Sequence, residues 1–328
     1  MILVTGGAGF IGSNLVAALE ARGLGDIVVC DRFGRDEKWK NLAKRELAGT
    51  LTPETLFPFL EANAGKVEAI FHMGGISATT ERDVDLILAS NFALSQRLWD
   101  YCTANQSRLF YASSAATYGD GTAGFDDDDS PAALARLRPM NAYGWSKHMF
   151  DRRVSRLSAS NAPRPRQWAG LKFFNVYGPN EYHKGAMRSV VAHIYPRALA
   201  GEPARLFRSH NPAYPDGGQR RDFVYVEDCV DIMLWLYDNP GVNGIFNSGS
   251  GKARTFAELA GVVYGALGKK PMIEYIDTPI EIRDRFQYFT EAKMGRLRAA
   301  GYTKPATELE RGVKDYVQTY LSAADPYR

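Results

Sequence analysis

The stretch that most restricts the fold lies at the start of the chain. An apolar run at residues 2–4 passes without a spacer into TGGAGFIG, and that turn opens the helical pattern IGSNLVAALEARG. Gly7, Gly9 and Gly12 satisfy G-x-G-x-x-G, while Gly6, Gly9 and Gly12 satisfy a period of three. A strand turning on glycines into a helix gathers unpaired N–H groups and the positive end of the helix dipole at one point, where a pyrophosphate can sit. That context is what separates a dinucleotide seat from an ordinary tight turn.

The chain continues in the same rhythm. Residues 27–30, 69–72 and 109–112 are short apolar, β-branched runs, and residues 85–102 (DLILASNFALSQRLWDYC) have helix length and spacing. Gly23 offers a stop to the first helix. Alternation of this kind predicts an α/β fold, a Rossmann doubly wound parallel sheet with right-handed crossovers. After about Phe174 the pattern loosens into NVYGPNEYHKG and RSHNPAYPDGGQRRD, which read as binding loops. The expected division is a dinucleotide-binding domain at residues 1–174, with residues 220–250 returning to it, and a smaller C-terminal substrate-binding lobe within residues 175–328. The acidic run at residues 126–129 reads as a solvated loop without a function.

Forty basic residues against 37 acidic ones leave a charge of +3, which gives no footprint for nucleic acid and no polybasic arm for a membrane. Cys30, Cys102 and Cys229 are odd in number and lack C-x-x-C spacing, so neither a disulfide framework nor a zinc site is suggested and no metal is expected. The glycine loop follows Met1 almost directly and no apolar stretch has membrane-spanning length, so the expectation is cytoplasmic.

Asp31, ending the second strand, suits a ribose 2′-hydroxyl and so NAD; Arg32, Arg35 and Lys38 follow it and could pair with the 2′-phosphate of NADP. For Arg35 a solvated loop is as good a reading. In HMGGIS, residues 72–77, Gly74 and Gly75 let the chain pass close to a cofactor, whereas His72 reads as a packed, hydrogen-bonded residue. In NAYGWSKHMF, Tyr143 and Lys147 stand at i and i+4 of a helix and share a face. A phenol with a pKa near ~10 is a poor base at neutral pH, but an ammonium and a positive nicotinamide ring beside it favour the phenolate. Ser113 and Ser114 end the fourth strand on the same carboxyl edge, where a hydroxyl can hydrogen-bond the oxygen being oxidised.

With these residues in place, the chain resembles the extended short-chain dehydrogenases/reductases, the group of sugar-nucleotide epimerases and dehydratases, over nearly its whole length. The resemblance implies Ser114, Tyr143 and Lys147 as catalytic residues, with Lys147 also holding the nicotinamide ribose. It implies cofactor contacts from Gly6, Gly9, Phe10, Ile11, Gly12, Asp31, Arg32, Lys38, Met73, Gly74, Gly75, Ile76, Ser77, Asn91 and Val176, and NADP ahead of NAD. Dehydratases of the group carry an acidic pair beside the strand-end hydroxyl; here Ala115, Ala116 and Thr117 follow Ser114, which disfavours dehydration.

SSAATYG, NVYGP, HKG, RRDFVYV and GIFNSGSG resemble the branch of this family that inverts a side-chain carbon of an ADP-heptose during lipopolysaccharide inner-core synthesis. That branch implies Lys184 as a second acid/base opposite Tyr143; a phosphate-binding or surface lysine is the competing reading. It implies nucleotide-sugar contacts from Ser114, Asn175, Lys184, Ala186, His193, Phe207, Arg208, Ser209, His210, Arg221 and Phe286, and a homo-oligomer. Arg221 suits a diphosphate and is preferred to Arg220 through the resemblance alone. Met73, Ala186 and Phe286 each replace a polar residue of the family's pattern. Another nucleotide-sugar epimerase or dehydrogenase remains the alternative, as does a cofactor-binding regulator on the same fold, although such relatives commonly lose the tyrosine or lysine.

Overall fold

Both faces of a parallel sheet are covered, so its strands are continuous apolar runs, and every residue of β1 (Ile2–Thr5), β2 (Ile27–Cys30) and β4 (Ala69–His72) is buried. The computed structural model describes residues 1–283 and 287–328. Between β2 and β4 lies the short, partly exposed β3 (Gly49–Leu51), which made no recognisable run in the sequence. Next come β5 (Arg108–Ser114), three residues longer than its apolar core of residues 109–112, and β6 (Gln167–Phe173). Beyond β6 the chain makes β7 (Asn175–Tyr177), β8 (Ala204–Phe207) and β9 (Arg220–Tyr225) before β10 (Gly244–Ser248) joins the main sheet. The order is β3-β2-β1-β4-β5-β6-β10, parallel throughout, as the alternation predicts. β11 (Ala253–Thr255) completes a small sheet, β11-β9-β7, and β12 (Ile273–Ile276) pairs with β8.

The helices flanking these strands are α1 (Phe10–Ala21), α2 (Pro53–Ala62), α3 (Val84–Leu88), α4 (Leu94–Asn105), α5 (Pro131–Leu134), α6 (Ala142–Ala159), α7 (Val190–Ala200), α8 (Val226–Asp238) and α9 (Phe256–Ala266). Gly23, at φ +63°, closes α1 while Leu24 N–H reaches back to Leu19 O. The helix expected over residues 85–102 is α3 and α4 joined by a π-turn at Ala89–Ala93. One apolar cluster surrounds the large sheet; a second, with Phe223, Tyr225, Leu259, Val263 and Tyr316, underlies the small sheet. Phe10, the first residue of α1, belongs to the second cluster and ties the glycine turn to it. No helix among the described residues is long and apolar enough to cross a membrane.

Two segments depart from their sequence reading. The acidic run is not a solvated loop: Asp126 and Asp128 are exposed, but Asp127 accepts from Asn247 N–H at 2.9 Å, and Asp129 from Ile245 N–H at 3.0 Å and from Arg296. β10 is an outer strand, and the two inward carboxylates supply acceptors for its N–H groups that no neighbouring strand provides. Likewise Arg220, Arg221 and Asp222 do not belong to a loop; they begin β9.

Candidate active site

The strand order reverses between β1 and β4, so a crevice opens at their carboxyl ends. Two glycine turns meet there. Gly6 sits at φ +66°, and a Cβ on it would lie 2.5 Å from Gly74 N, while one on Gly12 would strike Gly6 O. Only bare backbone allows this approach, and it leaves a side-chain-free cradle at the N-terminus of α1 that fits a dinucleotide diphosphate.

Asp31 is buried against this turn. Its Oδ2 accepts from Ala8 N–H at 2.9 Å and its Oδ1 from Lys38 Nζ at 2.5 Å. Lys38 also donates to Arg32 O, and the exposed Arg32 pairs with Glu54. Asn41, which no sequence motif marks, donates to Ala8 O at 2.9 Å and Asn180 O at 3.0 Å, joining the glycine turn to the segment before Lys184.

Just past β4, Met73 N–H donates to Thr5 O and Gly74 N–H to Thr5 Oγ1. Asn91 occupies the π-turn, buried, accepting from Ile76 N–H at 2.8 Å and donating to Ile76 O at 2.9 Å and Ser146 Oγ at 3.0 Å. It therefore braces the 74–77 loop, whose Gly75 and Ser77 are exposed, against α6. His72 is the packed histidine expected. Thr5 Oγ1 is 2.7 Å from Nδ1, Ser95 Oγ is 2.9 Å from Nε2, and Ser95 donates onward to Asn91 O. That chain assigns Nδ1 as acceptor and Nε2–H as donor. Burial and the Lys147 charge push its pKa down to about 3.

Asn141 caps α6, accepting from Gly144 N–H at 2.8 Å. A Cβ on Gly144 would be 2.7 Å from Ala116 O, so glycine lets the first turn of α6 press on the turn Ala115–Tyr118. The approach brings Tyr143 to Ser114. Burial raises the phenol's pKa, and the Ser114 hydroxyl only partly opposes it. The expected pull toward phenolate is thus outweighed within the chain itself, because a dry setting disfavours the anion. Burial also lowers Lys147 to about 8, with Asp151 opposing. Its Nζ lies beside Gly75, 3.4 Å from where a Cβ would be.

Lys184 sits in the short turn Tyr182–Met187, which kinks at Gly185 with φ +54°. Its Nζ is 5.5 Å from the Phe10 ring centroid, and burial lowers its pKa against the opposing charge of Glu181. Asn14 donates to Pro179 O and Tyr182 to Pro326 O, so the segment is anchored on both sides.

Asn175, exposed, and Val176, half-buried, lie on β7 beside β9. Arg221 is buried, donating to Arg220 O and Gln287 O over the Phe256 ring, whereas Arg220 is exposed. Asp222 accepts from Ser250 N–H and Oγ, Gly251 N–H and Ala292 N–H, and so fixes the strand that carries Arg221. Phe207 ends β8; past it, Arg208 faces Asp277, Ser209 N–H donates to Asp216, and His210 N–H to Tyr288. His193 Nε2 is 3.2 Å from Ala186 O, both residues being exposed. Phe286 lies outside the described residues.

A glycine cradle at the switch point, with serine, tyrosine and lysine on the same edge, defines a dinucleotide-binding α/β protein. More particularly, the chain belongs to the NAD dependent epimerase/dehydratase family, whose model matches residues 2–249. It is 50% identical over 329 residues to ADP-L-glycero-D-manno-heptose-6-epimerase of Nitratidesulfovibrio vulgaris, with all of both chains covered. Among solved structures it is similar to ADP-L-glycero-D-manno-heptose-6-epimerase of Helicobacter pylori, at TM-score 0.81 and 28% identity over 98% of this chain and 96% of that one. It is also similar to the Thermus thermophilus UDP-glucose 4-epimerase complex with NAD, at TM-score 0.75 and 25% identity over 98% of this chain and 99% of that one.

Proposed function

We propose that this chain inverts the 6″ carbon of ADP-D-glycero-D-manno-heptose to give the L-glycero epimer. The observation that carries the reading is Lys184: a second lysine, made less basic by burial, stands beside the glycine cradle while Tyr143, Lys147 and Ser114 are all intact. The full-length likeness to a heptose epimerase supports the substrate.

A nicotinamide dinucleotide held by these residues would supply reversible hydride exchange at the carbinol carbon, which is what inversion without net oxidation requires. The glycine turn and the start of α1 hold the diphosphate. Ser114 orients the carbinol oxygen and Tyr143 exchanges its proton in one orientation, with the Lys147 charge favouring the phenolate and its ammonium holding the ribose. Lys184 exchanges the proton in the other orientation, because its lowered pKa eases release. Arg221 pairs with the substrate diphosphate, and Asn175, His193 and the residues following β8 contact the sugar. Support for NADP over NAD comes from Asp31, whose two oxygens are engaged by Ala8 and Lys38 and are not left free for a 2′-hydroxyl. The main sheet, to which β10 returns, holds the cofactor, while β9, at the start of the expected span 220–250, stays in the small sheet with the remainder after Phe174 and holds the substrate. Three buried free thiols suit a reducing, cytoplasmic setting.

The test is incubation of the purified protein with NADP and ADP-D-glycero-D-manno-heptose, followed by chromatographic separation of the epimers. Interconversion without net accumulation of reduced cofactor is expected. Net accumulation would make the protein a dehydrogenase, and turnover of another nucleotide sugar in place of the heptose would make it the alternative epimerase.

A further inference from the structure

Tyr143 and Lys147 are followed one turn along α6 by Asp151, at i+8, on the same face. Asp151 is fully buried. Its carboxylate accepts from Tyr111 Oη at 3.0 Å and Ser113 Oγ at 2.7 Å, both on β5, and faces Lys172 Nζ on β6 at 3.7 Å. A buried charge is costly unless it is paired and hydrogen-bonded, and three partners from two strands meet that requirement. Stability alone does not account for the cluster, since an apolar replacement of a buried ion pair is often neutral or stabilising.

Its placement does. Lys172 also donates to Thr117 Oγ1 at 2.9 Å, and Thr117 donates to Ser114 O at 2.8 Å, so the group that holds Asp151 also holds the backbone of Ser114. Ser113 points to the carboxylate while the next residue, Ser114, faces Tyr143.

We infer that Asp151 is a positioning residue of this site: fixed by Tyr111, Ser113 and Lys172, its carboxylate stands one helical turn beneath Lys147 and keeps that lysine charged in a dry setting. The inference rests on reading Tyr143 and Lys147 as the catalytic pair. Burial lowers Lys147 to about 8 and Asp151 opposes the fall. Burial raises Asp151 itself, while Lys172, Ser113, Tyr111 and Lys147 favour its charged form. Lys172 counters the field of Asp151 and is in turn faced by Asp127 and Asp129. Two neighbouring histidines add no charge at neutral pH. His148 on α6 is held at about 4 by burial and nearby cations, and His72 on β4 at about 3.

The test is a pH titration of the Lys147 ε-carbon by NMR in the NADP-bound protein, with the signal assigned from Lys147→Arg, alongside the kcat profile for the heptose. Asp151→Asn should move the Lys147 midpoint down by about one pH unit or more and shift the basic limb of kcat with it. Asp151→Glu should restore the midpoint. An unmoved midpoint in Asp151→Asn overturns the inference. Should that variant fail to fold, Asp151→Ser decides: a fall of the Lys147 midpoint supports the inference, and no change or a rise overturns it. A midpoint that moves while the kcat profile stays fixed supports the charge coupling and removes Lys147 from the catalytic pair.

Discussion

At the end of β2, Asp31 and Lys38 share one hydrogen bond, and the competing sequence signals for NAD and NADP meet in it. A carboxylate that also holds Ala8 N–H is part of the glycine turn, which leaves Arg32 as the exposed cation with only a surface partner, Glu54. Exposed pairs contribute about 0–1 kcal/mol, so a 2′-phosphate can compete for Arg32. Arg32→Ala is therefore expected to weaken NADP more than NAD in a binding titration; equal losses would contradict NADP preference. His72 carries a different prediction. Its folded pKa of about 3 lies below the usual 6.5, so as pH falls below ~6.5 the unfolded chain binds a proton that the native one refuses. Stability should decline toward pH ~3 by at most about 1.4 kcal/mol per pH unit from this residue, and nothing is lost above pH ~7. Urea melts of His72→Gln should show a shallower acid slope than the parent, and an identical slope would exclude the residue. A lone histidine ending an apolar strand was readable as packed; the engagement of Asp31 was not, because its partner is a backbone N–H brought near only by the fold.

The π-turn Ala89–Ala93 shows what an element can do that a sequence pattern hides. One extra residue in a turn leaves the apolar spacing of residues 85–102 almost undisturbed, yet it aims Asn91 at both backbone groups of Ile76. Asn91→Ala is expected to leave those groups without partners, lowering stability by about 1–3 kcal/mol in thermal melts and weakening dinucleotide binding. Unchanged cofactor affinity would show that the loop holds its shape unaided. β2 and β4 could be read to the residue because both of their faces are buried, which forces a continuous run. β3, the start of β9 and the alternating acidic run could not, since half-exposed segments beside loops take their residues from contacts distant in sequence.

Across the molecule, the glycine turn, Ser114, Tyr143 and Lys147 were legible because one parallel sheet brings strand ends to a common edge. Lys184 and Arg221 come from separate segments after β6, and their relation to that edge depends on anchors such as Asn41, Asn14 and Asp222 that no local pattern announces. The chain is expected to assemble into a homo-oligomer, and light scattering that shows only a 36.4 kDa monomer under active conditions would contradict this. The central claim is that two bases serve the two faces of one carbon, and half-reactions test it most directly. Given a carbonyl analogue of the oxidised heptose and reduced cofactor, Tyr143→Phe and Lys184→Met should each retain reduction on one face and lose about 10²- to 10⁴-fold on the other, and the double variant should lose both. If Lys184→Met instead leaves kcat nearly intact and raises only KM, the lysine is a diphosphate clamp, Tyr143 serves both faces, and the two-base account is contradicted.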